Sequence, residues 1–328
     1  MNFFRASLVL LSLAAPARAD PLAAGPLAYV TDQGADALSI VDLASGSVVE
    51  TVKVGKKPAG VAVAPGGRRI YVSNPDGRSV SFVEQQADGT HKTVAELAVG
   101  QGPLGLALDQ TGARLFVADW YQDQVGVVDT ASRALVGSIT VGKSPAGMAV
   151  SPDNQWLYVA NRESDSLSVV DLSTLRSVGE IAVGKAPFGV TYDPSGPDGP
   201  RLLVANVQSG DVSVIDPATR RETRRLKVRS FPYAVAVTKD GTRIFVTNQH
   251  DDSISVFDGK SYAPLAVVSL CGYPEGIMIA PDQSEALVAC WMDDRLAAIS
   301  VQSLQQTRKI AVGLSPRAFG QFIAPDAK

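Results

Sequence analysis

The chain is poor in the side chains from which metal centres and acid–base sites are usually assembled. Its 328 residues include two histidines, two cysteines and four methionines. That leaves little material for a His-rich metal or catalytic site, and no metal-motif spacing occurs. There is no C-x-x-C-H, so no haem is expected to be held covalently, and no G-x-S-x-G nucleophile elbow. Basic residues are not in excess: 30 Lys and Arg face 33 Asp and Glu. Such a balance gives no general attraction to phosphate backbones and makes nucleic acid an unfavoured partner. Beyond the N-terminus no stretch approaches ~20 unbroken apolar residues, so no transmembrane segment is expected.

What is plentiful is turn chemistry. There are 29 Gly and 20 Pro, while aromatics make up only 6% of a chain that is 45% hydrophobic. That balance suits many short strands joined by tight turns. Residues 1–19 read as a secretory signal: Arg5 supplies the positive region, residues 6–15 a short apolar run, and Ala17-Arg18-Ala19 the small residues of a cleavage site. Cleavage near Ala19 would leave 28 basic residues against 33 acidic, a net charge of −5. Export to a bacterial periplasm is the expectation, with residues 20–328 as one domain.

A repeat runs through that domain. Its clearest copy is Val141–Ile181, which holds four β-rich runs (147–150, 156–160, 166–170 and 177–181) separated by turns. The residue opening each core motif falls at Tyr29, Tyr71, Phe116, Tyr158, Leu203, Phe245 and Leu287, at intervals of 42 or 45. A proline recurs at Pro58, Pro103, Pro145, Pro187, Pro232, Pro274 and Pro316. The two long intervals contain the turn-forming stretches QQADGTHK and DPSGPDGP, and His91 falls in the first. Seven copies of four strands are the arithmetic of an all-β, seven-bladed propeller, in which each blade buries its faces against its neighbours.

Tyr29-Val30-Thr31-Asp32, Tyr71-Val72-Ser73-Asn74, Tyr158-Val159-Ala160-Asn161 and Phe245-Val246-Thr247-Asn248 resemble the YVTN-type β-propeller repeat. The resemblance spans Leu27 to Ile323. It implies that the proline-led strand is innermost and that the closing blade is built from both termini, with Arg317–Ile323 completing three N-terminal strands. Pro and Gly two residues later then serve the crowded axis. Asp32, Asn74, Asp119, Asn161, Asn206 and Asn248 end the second strand and are expected to bond nearby backbone N–H groups. Asp36, Asp123, Asp165, Asp252 and Asp294, four residues on, read as turn caps rather than a calcium ring.

The proline loops and the Asx loops should share one end of the ring, and the variable residues there are the binding candidates: Trp120, Tyr121, Arg162, His250, Glu275, Trp291, Met292 and Arg317. The least repeat-like copy is the seventh. Cys271 stands where others have Gly, and Cys290 where all six others have Asx. A disulfide is the plain reading in an exported protein; a redox pair, or metal ligands with Met292 and His250, are the alternatives. Glu275 and Arg317 each follow a repeat proline and stand placed to pair. Arg220, Arg221, Arg224, Arg225, Lys227 and Arg229 cluster around one outermost strand, as edge protection or as a docking patch for a polyanion.

From the residues alone, the expectation is a non-catalytic scaffold without a cofactor, presenting this face to a periplasmic protein or a small ligand. The resemblance adds two alternatives. One is an accessory role in a periplasmic quinoprotein or cytochrome c oxidation system, with a variant in which His250 ligates a tetrapyrrole non-covalently. The other is a propeller lyase or lactonase in which His250 and Glu275 form an acid–base pair.

Overall fold

The computed structural model describes residues 25–324, so the expected signal segment lies outside the described residues. Seven sheets follow one another along the chain, antiparallel except where the C-terminal strand joins blade 2. Blade 2 is typical, with Gly60–Val63, Arg69–Asn74, Ser79–Gln85 and His91–Ala98 in spatial order from the axis outward. Blades 3 to 7 repeat it from Pro103, Pro145, Pro187, Pro232 and Pro274. In the fourth blade the strands are Pro145–Val150, Trp156–Asn161, Ser166–Asp171 and Arg176–Ala182, within two residues of the runs read from the repeat.

Burial explains the order. The second and third strands of each blade are buried on both faces, as in Leu157–Asn161 and Ser166–Val170, because blades stack on either side. The outermost strands are exposed except at one inward residue, such as Ile139, Ile181 or Leu226. Their pairing carries a one-residue bulge in each blade, for example between Val169 and Val170, which adds local twist.

Near the axis, the constraint is steric. A Cβ on Gly105 would collide with the carbonyl of Ala146, and one on Gly147 with the carbonyl of Phe188. Adjacent inner strands thus touch backbone to backbone, which only glycine allows.

Both termini build blade 1. Leu27–Asp32, Ala37–Asp42 and Ser47–Lys53 form three strands, and the C-terminal segment takes the inner place. Tyr29 N donates to Phe322 O at 2.7 Å and Arg317 N to Thr31 O at 2.9 Å, with bridges Ala28–Ile323 and Asp32–Pro316. The expected strand from Arg317 to Ile323 is shorter, however. Its regular part is Phe319–Gln321, which pairs in parallel with Gly60–Ala62 of blade 2. The segment therefore locks two blades at once.

Two residue roles differ from expectation. The buried Asx side chains chiefly bind across to the third strand: Asn161 Nδ2 donates to Ser166 Oγ and Ser168 Oγ at 3.1 and 3.0 Å, and Asn74, Asn206 and Asn248 do the equivalent. Backbone N–H acceptance dominates only at Asp119, which binds Gln101 N and Gly102 N. His91, in turn, opens a strand and is buried, with Nδ1 2.8 Å from Glu50 Oε2. The aspartates four residues past each Asx do act as turn residues. Asp36, Asp123, Asp165, Asp252 and Asp294 all have φ near +50°, and each accepts the backbone N–H of the residue 21 positions later, at 2.7–3.0 Å.

Cys271 and Cys290 form a disulfide that links the inner loop to the second strand of blade 7. In blade 4 the same two positions are Gly142 and Asn161, where Gly142 N donates to Asn161 Oδ1 at 3.1 Å and a Cβ on Gly142 would strike that side chain. The cysteines thus substitute as a pair for a glycine–Asx contact. The bridge closes 19 residues of sequence, so reducing it, or introducing Cys290→Ser, is expected to cost about 3 kcal/mol of stability in the chain-entropy account. Denaturant titration with and without reductant measures the difference, which should vanish in a double Cys271→Ser/Cys290→Ser variant.

Candidate functional site

The inner strands of blades 3 to 7 begin with proline, and each repeat proline after the first pairs with the end of its blade's second strand, as in Pro145 with Asn161 and Pro232 with Asn248. The proline and Asx loops accordingly open on one face. Two columns of the repeat form concentric rings there. The residues after the prolines are Ala59, Leu104, Ala146, Phe188, Tyr233, Glu275 and Arg317; those after the Asx or Cys290 column are Gln33, Pro75, Trp120, Arg162, Val207, Gln249 and Trp291. Leu104, Phe188, Tyr233 and Arg317 of the first ring and Gln33, Pro75, Trp120, Arg162, Val207 and Gln249 of the second line a cavity of about 470 Å³.

The floor is aromatic. Phe188 lies 4.4 Å from Tyr233 and 4.9 Å from Phe319, centroid to centroid. Phe319 reaches across the axis from the C-terminal segment toward Gly147 of blade 4. On the other side of this plug lies a second cavity, about 570 Å³, lined mainly by inner-strand backbone and small apolar side chains.

The chemistry of the first cavity is concentrated on one side. Glu275 is completely buried; its Oε1 accepts from Gln249 Nε2 at 2.9 Å and lies 3.3 Å from Arg317 Nη2. Its Oε2, Arg317 Nε and the Tyr233 hydroxyl have no partner. Burial pushes the Glu275 carboxyl up to about 7, against the opposing pull of Arg317 and of the hydrogen bond from Gln249. His250 stands beside this group on a 3-10 turn, Gln249–Asp251. Its ring stacks on Phe231 at 3.7 Å, and Nε2 is 2.6 Å from the Tyr273 hydroxyl. Phe231 and Tyr273 hold their positions through a left-handed backbone, φ 56° and 58°, of the type that recurs before most repeat prolines.

The expected site residues separate into three groups. Trp120, Tyr121, Arg162, His250 and Arg317 line the cavity. Glu275 lies behind it, holding Arg317 and Gln249, and its hydrogen-bond partner is Gln249 rather than His250. Trp291 and Met292 are outside: Trp291 Nε1 donates to Gln33 Oε1 at 3.3 Å, and Met292 is solvent-exposed. Sequence reasoning missed Tyr233, Gln249, Tyr273, Phe231 and Phe188. The signal that finds them is the alignment of the seven copies column by column, because they occupy the same three columns as Arg317, Trp120 and Lys57.

Two members of the arginine patch reach across blade boundaries. Arg220 lies over Trp156 at 4.9 Å and Arg224 over Tyr262 at 4.8 Å, each on a neighbouring blade. Arg225 pairs with Glu222 at 2.6 Å, and Lys227 Nζ donates to Ser209 O at 3.1 Å. Arg221 and Arg229 remain at the surface.

With that geometry in hand, the chain can be compared with known proteins. The family model "Lactonase, 7-bladed beta-propeller" matches residues 129–229, about a third of the chain. Over those residues the chain is similar to that family. The match overturns the expectation of a non-catalytic scaffold. The periplasmic gluconolactonase of Pseudomonas aeruginosa superposes with a TM-score of 0.74 at 20% identity, covering 89% of this chain and 97% of that one. A functionally unknown protein from Desulfotomaculum acetoxidans gives 0.75 at 13% identity, covering 90% and 99%. Hydrazine synthase of Kuenenia stuttgartiensis gives 0.73 at 19%, covering 90% and 100%. At such identities these likenesses concern the fold. No curated protein matches the chain.

The raised Glu275 predicts a pH dependence. The folded state binds this proton more tightly than the unfolded chain, so the stability it contributes is complete below about pH 4.5 and is lost as pH rises toward 7. Glu275→Gln should flatten that loss, gaining on the order of 3 kcal/mol relative to wild type across the window. Paired denaturation curves at pH 4.5 and 7.5 measure it; an unchanged difference between the two proteins would contradict the burial argument.

Proposed function

We propose that the protein is a lactone hydrolase working in the cavity between the proline and Asx loops. The observation that carries this reading is that an imidazole, His250, and a guanidinium, Arg317, line the same cavity, each held by a separate partner. The lactonase family match supports it. The YVTN-type motifs support placing the repeats among the YVTN-type within that propeller class. The disulfide, the N-terminal sequence and the periplasmic neighbour support export to the periplasm.

Lactone hydrolysis needs a base for the attacking water and a positive group where the carbonyl oxygen becomes an oxyanion. His250, oriented by Phe231 and Tyr273, takes the water proton. The Arg317 guanidinium, which lines the cavity, receives the developing oxyanion. When the ring opens, the protonated imidazole returns its proton to the departing alkoxide, so the protein ends unchanged. Glu275 is a positioning residue here: it fixes Arg317 from behind and does not meet the substrate.

His250→Ala and Arg317→Gln should each lower kcat for δ-lactone hydrolysis by about 100-fold or more, with melting curves close to wild type for the exposed His250. Turnover of a lactone panel followed by pH-stat is the measurement. Absence of hydrolysis by wild type, or full activity in both variants, would overturn the reading.

A further inference from the structure

One inner-strand column is small in every copy but one. Four residues after the repeat proline the chain has Ala62, Ala107, Ala149, Thr191, Ala236, Met278 and Gly320. Thr191 shows where this column points: its hydroxyl donates to Val235 O of the next inner strand at 2.6 Å. Met278 extends the same way, onto the C-terminal segment that closes the ring. Phe322 N lies 3.0 Å and Ile323 N 3.4 Å from its sulfur. Ring closure leaves both N–H groups over, because the bonds to blade 1 run from Tyr29 N to Phe322 O and from Ala324 N to Leu27 O. The regular strand has already ended, at Gln321. A thioether, a weak acceptor, therefore serves two backbone donors at the seam of the propeller.

The same side chain opens on the second cavity. Met278 is half-buried and lines that space beside Phe319, Gly320 and Gln321. We propose that Met278 is an oxidation site, at which hydrogen peroxide entering the far cavity converts the thioether to a sulfoxide and loosens the closing segment. A sulfur lone pair attacks one peroxide oxygen; the S–O bond forms as the O–O bond breaks. The departing hydroxide takes the proton of the transferred oxygen and leaves as water. Sulfur is oxidised by two electrons and the peroxide is reduced by two. The product is polar and has its oxygen where a lone pair stood. With Phe322 N only 3.0 Å from the sulfur, no oxygen fits between them, so the side chain turns away or the segment moves. The effect reaches the opposite face, because Phe319 on the same segment packs against Phe188 and Tyr233 beneath the first cavity. Among the described residues no free thiol competes for the oxidant. Met148, on the wall of the second cavity, and Met292, exposed on the other face, hold no backbone donor there and serve as internal controls.

Peptide mapping of the intact protein after hydrogen peroxide treatment, paired with melting curves and amide exchange, provides the test. Sulfoxide should appear at Met278. The melting temperature should then fall by about 3 °C or more, from the loss of two hydrogen bonds. Exchange at the Phe322 and Ile323 amides should speed up about tenfold. A Met148→Leu/Met292→Leu protein should respond as wild type does, and Met278→Leu should show neither change at the same dose. If Met278→Leu does not fold, the double variant decides alone: both shifts must grow in proportion to its Met278 sulfoxide. Met278 left unmodified while Met292 is fully oxidised would overturn the proposal. So would a Met278 sulfoxide with unchanged melting and exchange.

Discussion

The structure depends on the contact between neighbouring inner strands. At the Pro-x-Gly positions one strand's Cα meets the next strand's carbonyl so closely that a Cβ has no room, as at Gly105 against Ala146 and Gly147 against Phe188. That approach sets the narrow waist of the ring, and the rest of each blade fans outward from it as the sheets twist. It also sets where function can reside. At Gly60, Gly105, Gly147 and Gly189 the carbonyl belongs to the residue after the next repeat proline, so the same close packing holds Leu104, Ala146, Phe188 and Tyr233 in a circle around the axis. A ligand at that circle meets side chains whose backbones cannot shift without disturbing two blades.

The circle is uneven, and the unevenness makes the site. Ala59, Leu104 and Ala146 leave space on one side, while Phe188, Tyr233, Glu275 and Arg317 fill the other. A fully buried carboxyl with one oxygen unpartnered is a costly arrangement for a scaffold. Here it braces the one guanidinium of the inner circle, and it shares Gln249 with the second circle. Rigid aromatic packing beneath, through Phe319 from the C-terminal segment, ties the floor to ring closure. The same short segment that joins the ends of the chain thus supports the cavity.

Blade 7 shows how a repeat can depart from its pattern without losing its geometry. In other blades a glycine N–H faces an Asx side chain; here both residues change together, and a covalent bond replaces a hydrogen bond. The repeat alignment made this visible in advance because the two cysteines fall on two positions already known to serve neighbouring strand ends. The Asx column was less transparent. Its sequence context suggests turn capping, yet burial between blades turns these side chains toward serine hydroxyls on the next strand, where no water is available to satisfy them.

By itself, the sequence determined the blade count, because it follows from periodicity and from prolines and glycines whose backbone roles are local; the strand order, the closure by both termini and the face that carries the loops followed from the likeness of its motifs to the YVTN-type repeat. The tertiary structure decided which loop residues meet. His250 and Glu275 sit on adjacent blades and read as a pair, but the side chain of Gln249 occupies the place beside the carboxyl, and His250 turns to Phe231 and Tyr273. Likewise the arginines around the fifth blade read as edge protection or a docking patch, and the structure adds that Arg220 and Arg224 lie over aromatic faces of neighbouring blades. The reason is the same in each case: a repeat specifies its own blade, while a side chain's partner lies across a blade boundary, and that distance is fixed only once the ring has closed.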